Sequence, residues 1–234
     1  MERETGLSRR GLLLGSMAAA VSLQACGSTG RKSSLAPRPA PMTAGGPPIQ
    51  LPPALEGFVA DCVAANTEQD SQAAVREVLT RGVSDPGAML RAAGEPTHAG
   101  ITVYHRAADL TIFSAAWTPH MNLMPHNHEM WALIGIYTGR EDNIFWGRSE
   151  QGVTAHGVDV LFEGEVGTLS ETAIHSVTNP LERFTGGIHI YGGDFFATTR
   201  SQWDPETREE SPSDGAVIRA IFEQANERYQ RSLG

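Results

Sequence analysis

Apolar residues between positions 55 and 79 recur at helical spacing: Leu55, Phe58, Val59, Cys62 and Val63, then Ala74, Val75, Val78 and Leu79. Residues three and four apart share one face of a helix, so the pattern predicts a helical segment with one apolar stripe. Asn66-Thr67 breaks it into two helices. Pro86 opens a further short helix, because the N–H it lacks has no partner in a first turn anyway. That helix runs through Leu90 and Ala93 and stops at Gly94. After Pro96 the period shortens. Segments 101–105, 110–117, 131–137, 143–146, 158–162, 166–169, 173–177 and 184–191 read as short strands, punctuated by Gly, Pro, Asn and Asp. Strands of this length and spacing predict a sandwich or barrel. Residues 216–233 return to helical spacing, with Val217, Ile218, Ile221, Phe222, Ala225 and Tyr229 on one broad face.

Before residue 54 the composition is of another kind. Residues 27–53 are Pro, Ala, Gly and Ser with almost no large apolar side chain, which cannot bury enough surface to fold and reads as a semi-extended tether. Ser8-Arg9-Arg10-Gly11-Leu12-Leu13-Leu14 resembles a twin-arginine export signal, and Leu23-Gln24-Ala25-Cys26 resembles a bacterial lipobox. The apolar run between them is too short and too rich in Gly, Ala and Ser for a membrane span. The resemblance implies a signal over 1–25 and lipidation of Cys26 as the first mature residue. It also implies a linker over 26–53 and a folded domain over 54–234. The protein is then expected to leave the cytoplasm folded and to sit in the periplasm or cell envelope. Its membrane contact would be the lipid anchor alone. Cys62 would be left alone, with no internal disulfide.

The chain carries a formal net charge of −9, and removing residues 1–25 makes it slightly more negative. Nucleic acid calls for basic patches, so it is excluded as a partner.

Candidate chemistry centres on Pro125-His126-Asn127-His128. In a strand, side chains two apart point the same way, so His126 and His128 would supply two-thirds of a facial metal site. His175 is the third candidate, 47 residues after His128, with room for several strands to bring it back. Imidazole ligands suit iron, zinc, copper or nickel.

The stretch Met124-Pro125-His126-Asn127-His128-Glu129-Met130-Trp131, continuing to Gly139, is similar to the first cupin motif of the thiol dioxygenases. Ala173-Ile174-His175-Ser176-Val177-Thr178-Asn179 resembles the second motif, and Gly187-Ile188-His189-Ile190-Tyr191 resembles the strand that follows. The bacterial branch near cysteine dioxygenase and 3-mercaptopropionate dioxygenase fits best. The resemblance implies a mainly β fold, a double-stranded β-helix (cupin jelly roll) with N-terminal helices and one C-terminal helix. It implies Fe(II), or another divalent metal, on His126, His128 and His175. The implied partners are a small thiol and dioxygen, and the implied product is a sulfinate. Tyr104-His105-Arg106 sits where the family places its carboxylate-binding arginine, so Arg106 is the expected substrate anchor. His189 and Tyr191 are the expected catalytic pair beside the metal.

Several positions depart from the family. Asn127 stands where Asp is usual, and Gly187 where a serine precedes the histidine by two. Ala132 stands where animal cysteine dioxygenases carry a cross-linking cysteine. Cupins with a fourth, acidic ligand carry it four or five residues after the second histidine, where this chain has Ala132 and Leu133, so Glu129 is expected at the rim. His98, His105, His120 and His156 are expected to be structural or exposed, and Trp117 and Trp131 to be core. Two other functions fit the same residues: a non-catalytic metal- or ligand-binding envelope cupin, and a cupin isomerase or hydrolase using another divalent metal.

Overall fold

A computed structural model of the chain describes residues 51–150 and 152–234. The expected signal, the anchor at Cys26 and nearly all of the linker lie outside the described residues. α1 (Pro53–Ala65) and α2 (Ser71–Val83) part at Asn66-Thr67, and α3 (Pro86–Ala93) opens on Pro86. Asp70 and Asp85 cap α2 and α3 by accepting from the N–H groups of Ala73 and Ala88, donors that a first turn leaves without partners. At the far end of the chain, Asp214 caps α4 (Gly215–Ser232) in the same way. Its buried face is narrower than its spacing suggests: Phe222, Ala225 and Asn226 are buried, whereas Val217 is exposed. No helix among the described residues is long and apolar enough to cross a membrane.

Between the helices lie β1 (Gly100–Arg106), β2 (Thr111–Trp117), β3 (Asn122–Asn127), β4 (Ala132–Thr138), β5 (Arg140–Ser149) and β6 (Gly152–Phe162). They are followed by β7 (Val166–Leu169), β8 (Ile174–Thr178), β9 (Thr185–Tyr191), β10 (Ser201–Trp203) and β11 (Glu210–Pro212). One antiparallel sheet has the order β1-β2-β9-β4-β7, and the other β11-β10-β3-β8-β5-β6. Consecutive strands from β2 to β5 alternate between the sheets, and β6 to β9 return along them. Each of those four pairs up with an earlier strand, β9 between β2 and β4, and β8 between β3 and β5. That winding is the eight-stranded jelly roll, or double-stranded β-helix.

The first sheet is buried on both faces, which explains its near-continuous apolar runs. Leu110, Ile112, Leu133, Ile188 and Ile190 pack against α1 to α3, together with Leu79 and Val83. The alternate residues, among them Phe113, Ala115, Ile134 and Tyr191, face the second sheet. Strand parity thus decides the side on which a residue lies. His189 and Tyr191 share the inner parity of β9. Cys62 is fully buried in the helical layer, and burial pushes its thiol up to about 12, leaving it protonated and inert.

β3, β10 and β11 are absent from the list of strands that the apolar pattern yields. β3 carries Pro125, which has no N–H for the ladder, and its pairing with β8 slips between Leu123 and His126. The slip is a bulge that accommodates the proline. β10 and β11 are short and pair as a hairpin at the sheet's edge.

The helical layer docks where β4 has no side chain. A Cβ on Gly135 would stand 2.8 Å from Leu79 Cδ1 and 3.0 Å from Val83 Cγ1. We predict that Gly135→Val costs about 1–3 kcal/mol, as overpacking does. A lowered melting temperature by calorimetry checks this, and an unchanged one would mean that α2 is free to shift.

Candidate metal centre

The bulge that spoils the β3 ladder builds the site. It leaves the Met124 carbonyl free to accept from His126 Nδ1 at 2.9 Å. Protonated at Nδ1, His126 turns its Nε2 lone pair elsewhere. On β8, His175 lies directly opposite His126 in the register. His128 follows the end of β3, and Glu129 takes a left-handed φ of 55° that turns the chain away. The ring centroids lie 4.9 Å (His126–His128), 4.6 Å (His126–His175) and 5.0 Å (His128–His175) apart. One nitrogen from each falls within 4.8 Å of the others, and all three residues are buried.

A polar chain fixes the tautomer of His175. Glu141, fully buried on β5, accepts from Trp117 Nε1 at 2.9 Å and from Asn143 Nδ2 at 3.1 Å. With its amide NH2 committed to Glu141, Asn143 presents its oxygen to His175 Nδ1 at 2.7 Å. His175 therefore carries its proton on Nδ1 and aims the Nε2 lone pair at His128 Nε2, 2.9 Å away. His128 Nδ1 is buried with no hydrogen-bond partner in the structure. Burial lowers the basicity of all three rings, His126 to about 4 and the others well below their ordinary value. They are neutral at neutral pH, the form that binds a metal. Three neutral imidazole nitrogens within 4.8 Å of one another fit a cation, and the donor set fits a divalent transition metal.

Asn127, between the two histidines, points away from the site. It accepts from the Ser201 N–H at 2.7 Å and donates to Glu129 Oε1 at 2.5 Å. An Asp here could not donate and would repel Glu129, so the amide suits its neighbours. Glu129 is exposed, at the rim.

His189 and Tyr191 stand beside the cluster. The Tyr191 ring centroid is 4.9 Å from that of His128, and its hydroxyl is 3.4 Å from His189 Nδ1. On the other side of the ring, His189 Nε2 lies 3.5 Å from Glu141 Oε2. Burial raises the Tyr191 phenol above its ordinary value, so it stays a proton donor. A Cβ on Gly187 would lie 3.0 Å from Ile136 Cδ1 and 3.3 Å from His189 Nε2, so a side chain there needs a neighbour to shift. His189 Nε2 is buried without a hydrogen-bond partner, and Glu141 is the carboxylate nearest to it.

The expected substrate anchor is placed elsewhere. Arg106 holds Asp194 in a two-point ion pair, Nε to Oδ1 at 2.9 Å and Nη2 to Oδ2 at 3.1 Å, and it does not line the cavity in front of the histidines. Asp194 in turn accepts from the N–H groups of Phe196 and Ala197, so this pair fixes the turn after β9. That turn leads to Arg200, which does line the cavity, with His126, His175, His189 and Tyr191. Arg200 packs over the Phe195 ring at 3.8 Å, and its Nε is buried without a partner. Burial lowers its basicity to about 10, so it remains charged. No carboxylate among the described residues forms an ion pair with it. The sequence held no signal for Arg200. Glu141 and Asn143 are two apart on β5 and share its inner face, but they stand in the polar run Arg140-Glu141-Asp142-Asn143, where nothing in the sequence marks them out. Trp117, expected in the core, is buried and also lines the cavity.

No protein-family model matches the chain, and no curated protein matches it in sequence. Among solved structures, it is similar to a double-stranded β-helix protein from Klebsiella pneumoniae, at 13% identity and a TM-score of 0.36, over 45% of this chain and 82% of that one. A cupin domain from Bordetella pertussis is similar at 20% identity and a TM-score of 0.32, over 42% and 95%. Oxalate oxidase in complex with the substrate analogue glycolate is similar at 13% identity and a TM-score of 0.35, over 44% and 54%. The assignment of the fold rests on the strand order described above.

Two predictions follow from the ligand geometry. His128→Ala should lose a bound divalent metal while keeping its far-ultraviolet circular dichroism, and Asn143→Leu should weaken metal affinity about 10- to 100-fold by releasing His175. Chelator competition with elemental analysis measures both, and full occupancy in His128→Ala would remove that residue from the site. The pH dependence follows from the depressed histidines. The unfolded chain takes up protons on them first, from the ordinary value of 6.5. The metal-free protein should therefore be most stable above about pH 6.5 and lose stability as pH falls towards 4. Urea titrations across that window give the slope.

Proposed function

We propose that the protein is an Fe(II)-dependent thiol dioxygenase that oxidises a carboxylated thiol to a sulfinate at His126, His128 and His175. The observation that carries this reading is the convergence of three kinds of group on one cavity: neutral imidazoles, the protonated Tyr191 phenol and the unpaired Arg200 cation. When bound, the metal supplies Lewis acidity that favours the thiolate, and a redox centre for dioxygen.

The chain's own residues do the rest. Arg200 would hold the substrate carboxylate with its planar fork, and its cost of burial is offset only when an anion arrives. Tyr191 would donate its hydroxyl proton towards negative charge that builds beside His128, a contact already in place before reaction. His189, standing between Tyr191 and Glu141, would hold that phenol in position. Phe113, Phe195 and Trp117 give this part of the cavity an apolar wall, which would strengthen charge interactions beside it. Arg106, engaged by Asp194, is assigned to fixing the turn that carries Arg200.

For cellular placement we propose export and lipid anchoring through Cys26, supported by the lipobox that follows the twin arginines. Cys26→Ser should leave the membrane fraction or stay unprocessed, and fractionation like the wild type would refute the anchor.

The catalytic test is oxygen uptake and sulfinate yield from 3-mercaptopropionate and cysteamine, with metal content measured alongside. Arg200→Met should raise KM for the carboxylated thiol about 10- to 100-fold and leave cysteamine unchanged. Tyr191→Phe should lower kcat about 10- to 100-fold with iron retained. Arg106→Ala should lower thermal stability more than it alters substrate preference. Retention of zinc or nickel with no oxygen use by any thiol would favour a binding protein or a hydrolytic cupin instead.

A further inference from the structure

The cavity in front of the histidines has a volume of about 670 Å³, far more than a three-carbon thiol acid fills. Its walls are aromatic. Phe113 stacks with Tyr191 at a centroid distance of 5.2 Å, Phe195 lies 4.4 Å from Tyr191, and Phe222 of α4 stacks on Trp117 at 5.3 Å. A cleft of this size with a mainly apolar lining has the dimensions of a small-molecule binding site.

The wall formed by α4 is held in place. Asn226 accepts from the Ala99 N–H at 2.7 Å and donates to the Ala99 carbonyl at 2.9 Å. Its amide also meets His98 Nε2 at 2.9 Å. These contacts tie α4 to the segment that enters β1, 127 residues earlier, and fix Ile218 and Phe222 as the outer wall. Charged side chains line the chamber from two places, Arg200 on one side and Arg219 and Glu223 of α4 on the other. The cation of Arg200 is at one end, over Phe195, and the imidazoles and phenol lie beside it.

We propose that the site selects an arylalkyl carboxylate: an acid seated on Arg200 whose aromatic ring occupies the chamber between β1, β2 and α4. This rests on the reading of Arg200 as the carboxylate anchor, and it makes the natural thiol an aryl-substituted acid and not a three-carbon one. Flat rings stack on aromatic walls in offset or edge-on geometry. Each buried methylene is worth roughly fourfold in affinity, so ring burial should tighten binding by at least about tenfold.

Titration calorimetry on the full-length, metal-loaded protein tests this with ligands that carry no thiol and cannot be oxidised: 3-phenylpropionate, propionate and 3-phenyl-1-propanol. We expect 3-phenylpropionate to bind at least about tenfold more tightly than propionate. Arg200→Met should weaken both acids and leave the alcohol unchanged. Ile218→Trp on α4, and separately Val103→Trp on β1, should fill the chamber and abolish the advantage of the aryl acid without moving propionate. Circular dichroism verifies that each variant is folded, and either one suffices. Equal affinities for the two acids would overturn the proposal, as would an aryl advantage that survives a folded chamber-filling variant. The two readings fail separately. Oxidation of 3-mercaptopropionate without any aryl preference would defeat this inference alone. Aryl-acid binding without oxidation of any thiol would defeat the dioxygenase reading alone.

Discussion

Imidazole nitrogens that face one another inside a protein need a proton or a cation between them. His128 Nε2 and His175 Nε2 are 2.9 Å apart in this state, with His126 alongside and all three rings buried. Desolvation removes the second proton of each ring, because a buried imidazolium costs more than a buried imidazole. What is left is a neutral set in which His128 and His175 share one proton between their Nε2 atoms, the place a metal ion would take. Much of the local structure exists to hold them there. The bulge at Pro125 frees the Met124 carbonyl for His126, the Glu141–Asn143 pair sets the tautomer of His175, and Asn127 ties the end of β3 to β10.

Glu141 links this donor set to the groups that would act on substrate. Its two oxygens serve Trp117 and Asn143, and one of them also lies 3.5 Å from His189. The same carboxylate thus orients His175 through Asn143 on one side and borders the histidine beside Tyr191 on the other. Such a shared support couples the geometry of the donors to that of the phenol, since a shift of β5 moves both. Gly187 has its own packing reason: a Cβ there would press on Ile136 Cδ1 at 3.0 Å and on His189 Nε2 at 3.3 Å.

Much of this was legible in the sequence where period and spacing carry information. The helix breaks at Asn66-Thr67 and Pro86, most strands, and the His126, His128 and His175 triplet follow from local pattern. Two kinds of feature did not. β3 is hidden because Pro125 and the bulge interrupt its alternation, although the strand carries the site. Arg200 and Glu141 owe their importance to long-range placement, and nothing nearby in the chain marks an arginine as lacking a partner. Arg106 shows the converse: family position suggested a substrate contact, but the acid that occupies its fork is 88 residues away, at Asp194. Ion pairing across that distance is fixed by topology and cannot be read from a motif.

The three histidines are placed to bind one metal ion together. X-ray absorption at the zinc edge, on protein loaded with one equivalent of zinc, reads their coordination. We expect three imidazole nitrogens at about 2.0–2.1 Å, with any remaining position filled by oxygen. A shell with fewer than three imidazoles, or with a sulfur at about 2.3 Å, would contradict it.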